Sequence, residues 1–454
     1  MRDFSAYRQM YFLGIGGIGM SALARYFFQE GIAVSGYDQT QTRLTKELES
    51  EGIAIHFDDK AEQIKNLIGK KEDVLVVITP AIPKSLKELQ FLQNEGYNFV
   101  KRAELLGWVT RENIGLAVAG THGKTTTSCL LAHVLKNSEK GCNAFLGGIS
   151  ANYKTNFIAD KSSDYAVVEA DEFDRSFLHL RPFASILTSI DADHLDIYGD
   201  ASQLEQAFNE YVQRIDEEGF LVKHDAIPIL HKGKNITYSL NNSDSDYQAV
   251  NLRFENGMFV FDLNTPFGKW HDVELGIPGL HNVENAIAVI ALCVELGMTE
   301  NELRKSLRSF TGVNRRFEIV YRSEKQVFID DYAHHPTAIT QLIKSVRLMF
   351  PDKKICGVFQ PHLYSRTSDF MDGFATSLAA LDQLVLMPIY PAREEPIEGV
   401  TSEVLASKIN MNDKHVLAVN EVTAFVDKWE GVILTIGAGN ISDIVPKINA
   451  ALNE

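Results

Sequence analysis

Gly120-Thr121-His122-Gly123-Lys124-Thr125-Thr126-Thr127 follows an apolar run, Ile114–Ala119, and precedes a stretch that reads as a helix from near Thr125. Glycines let a loop turn its N–H groups inward, and a helix N-terminus adds partial positive charge, so this segment has the makings of a phosphate cradle. Lys124 can reach the outer phosphates and Thr125 can offer a hydroxyl to Mg²⁺. ATP is the expected ligand, with Gly120, Thr121, His122, Gly123, Lys124, Thr125 and Thr126 around it. The usual Walker loop would place its first glycine at Val118, so this loop is shorter by two residues.

Downstream, Val168-Glu169-Ala-Asp-Glu-Phe-Asp174 ends a strand with carboxylates, and Glu169 is the expected metal ligand of Walker-B type. The next strand ends in Ser189-Ile-Asp-Ala-Asp-His194-Leu-Asp196. There His194 reads either as a structural histidine or as a partner in a second metal site. His281-Asn282-Val-Glu-Asn285 opens a helix on which Asn282 and Asn285 share a face. Their amides suit either capping or the edge of a purine. Nearer the start, Gly14-x-Gly16-Gly17-x-Gly19 with Asp38 after the next strand satisfies the dinucleotide fingerprint. Any diphosphate fits such a loop, so NAD and a nucleotide sugar are equal readings. Two further loops, Asp330-Asp331-Tyr332-Ala-His334-His-Pro336 and Gln360-Pro-His-Leu-Tyr-Ser-Arg366-Thr367, follow strands and are rich in groups that bind or transfer protons.

These residues need strands and helices to hold them. Strand–loop–helix patterning over Tyr11–Asp38, with Val74–Ile78 and Asn98–Val100, predicts a Rossmann-like N-terminal domain at 1–112. Short apolar runs at 114–119, 165–169 and 184–190 predict a central α/β domain of P-loop ATPase type at 113–314. Strands near 327–330, 354–359, 384–387 and 432–436 predict a second Rossmann-like sheet in a C-terminal domain at 315–454. The 454 residues are ample for three domains, and 45% hydrophobic with 23% charged residues is an ordinary globular balance. A formal charge of −16 argues against a nucleic-acid partner and leaves small anions to be met by local cations and metal. Four scattered cysteines suggest neither zinc nor disulfides and suit a reducing cytosol. The first residues lack a signal-like apolar core and no run approaches a membrane span, so a cytoplasmic enzyme without membrane insertion is expected.

Taken in order, Gly-Ile-Gly-Gly-x-Gly-Met, Gly-Thr-His-Gly-Lys-Thr-Thr, Glu-Ala-Asp-Glu, Asp-Ala-Asp-His-Leu-Asp, His-Asn-x-x-Asn, Asn-Arg-Arg-Phe, Asp-Asp-Tyr-x-His-His-Pro and Gln-Pro-His-x-Tyr-Ser-Arg-Thr resemble the Mur ligases over nearly the whole chain. The resemblance implies one domain for a UDP-sugar, one for ATP and one that closes over an amino acid. It implies a two-step ligation in which ATP converts the carboxylate of UDP-N-acetylmuramate to an acyl phosphate that the amine of L-alanine attacks. Lys124 and two Mg²⁺, or Mn²⁺ in their place, would neutralise the transferring phosphoryl group, with Thr125, Glu169 and His194 as metal ligands. Asn282 and Asn285 carry over as adenine contacts, and Arg316 and Asp331 as groups on the nucleotide side. Tyr332, His334 and Arg366 carry over to the amino acid, while Gly14, Gly16, Gly17, Gly19 and Asp38 carry over to the UDP-sugar. Two departures are informative: Leu363 stands where many relatives have arginine, and 197–220 contains no lysine, as in the alanine-adding branch. The resemblance leaves open whether the protein is a monomer or a homodimer. Competing readings are a murein-peptide ligase adding a tripeptide, an NAD-dependent dehydrogenase and a non-catalytic UDP-sugar sensor.

Overall fold

The computed structural model describes residues 4–60, 64, 67–191, 198–392, 394–426 and 428–453. Five strands, β1 (Gln9–Leu13), β2 (Ala33–Tyr37), β3 (Ala54–His56), β4 (Val74–Ile78) and β5 (Asn98–Lys101), form a parallel sheet in the order β3-β2-β1-β4-β5. The order reverses beside β1, and a ligand crevice opens at such a switch point, outside the carboxyl ends of the strands. The glycine loop 14–19 begins there.

The second sheet contains β6 (Ile114–Ala119), β7 (Asn143–Phe145), β8 (Phe157–Ile158), β9 (Tyr165–Ala170), β10 (Ala184–Leu187), β11 (Phe220–His224) and β12 (Lys234–Ser239). They run β12-β11-β10-β6-β9-β7-β8, with β8 antiparallel to β7. β6 lies between β9 and β10, so the loop leaving it is flanked by the loops leaving both neighbours. Leu116 to Ala119 are fully buried, as expected for a strand covered on both faces. The helix behind it, Lys124–Lys136, buries Leu130, Leu131, Val134 and Leu135 completely. Strands β13 (Tyr247–Glu255), β14 (Met258–Thr265) and β15 (Gly268–Leu275) follow, with β13 pairing in parallel to β12 at Tyr238↔Tyr247 and Ser239↔Gln248.

The third sheet holds β16 (Glu318–Arg322), β17 (Gln326–Asp331), β18 (Ile355–Phe359), β19 (Gln383–Leu386), β20 (Lys414–Val416) and β21 (Gly431–Ile436), ordered β16-β17-β21-β18-β19-β20. Only β16 is antiparallel to its neighbour. Every residue of β18 and β21 is buried. The chain divides into two compact units, the first comprising 1–248, 265–267 and 285–307, the second 249–264, 268–284 and 308–454. All four cysteines, Cys129, Cys142, Cys293 and Cys356, are buried and unpaired to one another.

One polar cluster is sealed inside the first unit. The Tyr11 hydroxyl donates to Glu88 Oε2 at 2.8 Å and lies 2.8 Å from His56 Nε2. Glu88 is fully buried. Burial pushes its carboxyl up to about 7, with the nearby Asp59 charge adding to the shift and the Tyr11 hydrogen bond opposing it. The folded state therefore holds a proton that the unfolded chain would release. That contribution to stability is complete below the ordinary carboxylate range and is lost as pH rises through about 7. Glu88→Gln should raise folding stability by about 2 kcal/mol at pH 8 and by far less at pH 5. Denaturant midpoints at the two pH values check this, and equal shifts at both would exclude the charge as the cause.

Candidate active site

The loop between β6 and the helix Lys124–Lys136 closes on itself through its neighbours. Gly120 and Gly123 adopt φ values of 128° and 78°. A β-carbon at Gly120 would fall 2.1 Å from Thr188 Oγ1, and one at Gly123 would fall 2.7 Å from Asn285 Oδ1. Both positions therefore require glycine for conformation and for space. The loop after β10 braces the cradle: Thr188 N donates to Ala119 O at 3.0 Å, Thr121 N to Ser189 O at 3.1 Å, and His122 N to Ser189 Oγ at 3.0 Å. His122 Nε2 sits 3.1 Å from Asp191 Oδ2. The helix starts at Lys124, one residue earlier than its sequence pattern suggests, and its N-cap Gly123 offers no side-chain cap. Its first N–H groups are thus left for a ligand to satisfy. Thr125 and Thr126 are buried in that first turn.

Lys124 Nζ donates to Gly120 O and to both carboxylate oxygens of Glu172, each at 2.8 Å. Glu172 is fully buried and Lys124 is 13% exposed. Burial works against the ammonium charge, but Glu172, Asp171 and Glu169 outweigh it and hold the Lys124 pKa above its ordinary value. Lys124 is therefore a fixed cation curled back over the cradle. Glu169 leaves β9 beside Val118 and lies against Gly147, where a β-carbon would come 2.2 Å from Glu169 Oε2. The Thr125 hydroxyl and the Glu169 carboxylate are hard oxygen donors of the kind Mg²⁺ takes, so they fit that ion chemically. Among the described residues no group of three or more His, Cys, Asp or Glu forms a ready-made metal cage. Mg²⁺ held jointly with nucleotide phosphates does not need one. His194 lies outside the described residues.

A second helix with a glycine at its N-cap starts at the other glycine loop. The helix Ile18–Gln29 has Gly17 as N-cap and no capping side chain, whereas Thr42, Asp200 and Thr401 cap their helices by accepting backbone N–H bonds. Gly14 takes φ 81°, and Gly16 N donates to Asp38 Oδ2 at 2.8 Å. Asp38 thus shapes the loop from the end of β2. Arg102 lies against Gly19, close enough that a β-carbon there would meet its guanidinium at 2.9 Å. The Arg102 guanidinium thus lies beside the first turn of a helix whose N-cap provides no side-chain acceptor.

The helix Leu280–Glu295 carries Asn282 and Asn285, both nearly buried. Asn285 reaches Gly123 within the first unit, and Asn282 Nδ2 donates to Pro278 O within the second. In the second unit the segment Arg315-Arg316-Phe317 is strained, with φ 63° at Arg315 and 48° at Phe317. Asp331 holds it, accepting Phe317 N and Ala333 N at 2.7 Å each, while Tyr332 N donates to Arg315 O at 2.8 Å. Burial raises the Asp331 pKa against the opposing pull of Arg316 and these N–H groups. Both guanidiniums lie over the Tyr332 ring, Arg316 at 4.7 Å and Arg315 at 5.2 Å. His334 Nδ1 is 2.9 Å from Tyr332 O, and its ring neighbours that of His362. Arg366 is buried in the short helix Tyr364–Asp369. Arg316, Asp331, Tyr332 and His334 are thereby drawn together at the carboxyl end of β17, and Arg366 follows β18.

Sequence reasoning singled out Glu169 from Glu-Ala-Asp-Glu, yet Glu172 of that same quartet is the residue bonded to Lys124. Its spacing carried a signal, since Glu169 lies at the end of β9 and Glu172 two residues beyond it. His362 belongs to the Gln360–Thr367 loop already singled out, whereas Tyr390, stacked on His362, and Glu394, bonded to Ser365, were not anticipated. Tyr390 and Glu394 follow β19 in a stretch without any recognisable sequence motif.

The Mur ligase family catalytic domain matches residues 9–113, the Mur ligase middle domain 118–293, and the Mur ligase glutamate ligase domain 315–439. A UDP-N-acetylmuramate–L-alanine ligase of Christiangramia forsetii is 45% identical, covering 100% of this chain and 99% of that protein. Another of that name from Flavobacterium psychrophilum is 47% identical over 98% of each. Among solved structures, the UDP-N-acetylmuramate-alanine ligase of Thermotoga maritima superposes with a TM-score of 0.82 at 28% identity, covering 98% of this chain and 99% of that one. A murein peptide ligase from Psychrobacter arcticus reaches a TM-score of 0.71 at 24% identity over 98% and 99%, a likeness of fold. The three-domain α/β architecture expected from the sequence is the one these matches share.

Proposed function

The chain belongs to the Mur ligase family, and from that premise we propose that it joins L-alanine to the carboxylate of UDP-N-acetylmuramate in cytoplasmic peptidoglycan precursor synthesis. It is an ATP-dependent acid–amino-acid ligase. ATP phosphorylates the muramoyl carboxylate, the alanine amine attacks the resulting acyl phosphate, and a tetrahedral intermediate collapses with loss of phosphate. We assign the UDP-sugar to 1–112, ATP to 113–314 and the amino acid to 315–454.

The observation that carries the reading is the pair of glycine-capped helices, Ile18–Gln29 and Lys124–Lys136, each presenting uncapped N–H groups beyond a parallel sheet. One chain with two phosphate cradles suits a nucleotide sugar and ATP together. A dehydrogenase would use the first and leave Lys124 and Glu172 without a task. In the first step Lys124 stands over the cradle as a fixed charge on the phosphoryl group in transfer, and the first-turn N–H groups bind phosphate oxygens. Mg²⁺ bound by Thr125 and Glu169 would supply further charge neutralisation there. Asn282 and Asn285 would meet the adenine, with Arg316 and Asp331 on the nucleotide side. Tyr332, His334 and Arg366 would surround the amino acid, the Arg366 fork holding its carboxylate. Gly14, Gly16, Gly17, Gly19 and Asp38 would hold the UDP-sugar.

Phosphate release from ATP, Mg²⁺ and UDP-N-acetylmuramate should occur with L-alanine and not with the L-Ala-γ-D-Glu-diaminopimelate tripeptide. Release with the tripeptide alone would transfer the chain to the murein-peptide ligases. Release with neither acceptor would refute both.

A further inference from the structure

Arg366 is the residue proposed to grip the amino-acid carboxylate, and its helix is only six residues long. So short a helix cannot hold its own position, because it makes few internal hydrogen bonds and its terminal groups outnumber them. Its entry is also strained. Leu363, the N-cap, takes φ 70° and ψ 139° with a β-carbon in place, and its side chain provides no cap. Such a conformation persists only where surrounding contacts over-determine it.

Those contacts come from one neighbouring segment of the second unit. Tyr390 N donates to Pro361 O at 2.9 Å, Leu363 N donates to Tyr390 O at 2.9 Å, and the His362 and Tyr390 rings stack at 5.7 Å. Glu394 completes the lacing: its Oε2 accepts Ser365 N at 3.0 Å and its Oε1 accepts the Ser365 hydroxyl. A carboxylate taking a first-turn N–H is the cap that Leu363 cannot supply, delivered from a different loop, and its charge suits a helix N-terminus. Ser365 is the residue immediately before Arg366. Burial and the Arg366 charge push the His362 imidazole down to about 4, so this ring stays neutral and does not compete with Arg366 for an anion.

We infer that Glu394 is a positioning residue for the amino-acid substrate: by capping the Arg366 helix in trans it aims the guanidinium at the substrate carboxylate. The inference rests on the alanine-ligase reading. It assigns to Glu394 no contact with the reacting atoms, so its loss is felt at one substrate.

Glu394→Ala should raise the KM for L-alanine by about tenfold or more, within the ~10²-fold that a misplacement of about an ångström can cost, with kcat reduced less and the KM values for ATP and UDP-N-acetylmuramate within about twofold of the parent. Glu394→Gln keeps a carbonyl oxygen for the Ser365 N–H and should recover most of the alanine KM. That variant also serves if the alanine form does not fold. An unchanged alanine KM in Glu394→Ala, or in Glu394→Gln a rise matched by ATP and the UDP-sugar, would overturn the positioning role. A parent enzyme that releases no phosphate with alanine would instead overturn the ligase reading itself.

Discussion

Replacing Lys124 by alanine should cut alanine-dependent phosphate release by at least about 10³-fold, the loss typical of removing one well-placed charged clamp from phosphoryl transfer. The ammonium is preorganised, bonded at 2.8 Å to Gly120 O and to Glu172 before any nucleotide arrives. Little reorganisation is needed when charge develops on the phosphoryl oxygens. The same bonds give the substitution a second consequence. Glu172 is fully buried, and Lys124→Ala takes the buried ammonium away from its carboxylate, a type of loss that costs about 3–5 kcal/mol in buried pairs. A drop in activity could then reflect a weakened fold. Lys124→Ala with Glu172→Gln separates the two effects, because a neutral amide removes the buried negative charge that Lys124 offsets. The double variant should recover most of the melting temperature and none of the turnover. Turnover within tenfold of the parent in either variant would remove Lys124 from the chemistry.

Arg366→Lys should raise the KM for L-alanine by on the order of 10²-fold while leaving that for ATP within about threefold. Lysine keeps the charge but loses the planar fork that grips a carboxylate with two parallel bonds. The site is also nearly buried, with Arg366 at 9% exposure, so an ammonium there would lack the water it prefers. Initial-rate measurements over a range of each substrate read the effect directly. An unchanged alanine KM would place the carboxylate elsewhere.

The two glycine loops were legible because a parallel sheet delivers ligands at its strand ends, and both loops follow short apolar runs that glycines bring to an end. Strands such as Val74–Ile78 and Ile114–Ala119 coincide with the expected runs for that reason. β13 was harder to see. Its inner and outer residues alternate with many half-exposed positions, so no continuous apolar run marks it. Glu172 and Glu394 escaped for a different reason. Each acts through a pairing distant in sequence, 48 residues from Lys124 in one case and 29 from Ser365 in the other. No local pattern records such a partner. The strain at Arg315 and Phe317 was likewise invisible, because neither residue type announces a left-handed backbone.

The four buried cysteines turn the molecule into its own unfolding gauge. A thiol reacts as its thiolate, and burial pushes Cys142 and Cys356 up to about 12 and raises Cys293 as well. Alkylation therefore has to wait for the chain to open. Cys129, Cys142 and Cys293 lie in the first compact unit and Cys356 lies in β18 of the second. Mass spectrometry of maleimide-labelled peptides would thus time the opening of each unit separately in the unmodified protein. Added nucleotide should slow the first three labels and, through Arg316 and Asp331, the fourth as well, whereas added amino acid should slow the fourth alone, so the wild-type chain already carries a reporter that tells the two ligands apart.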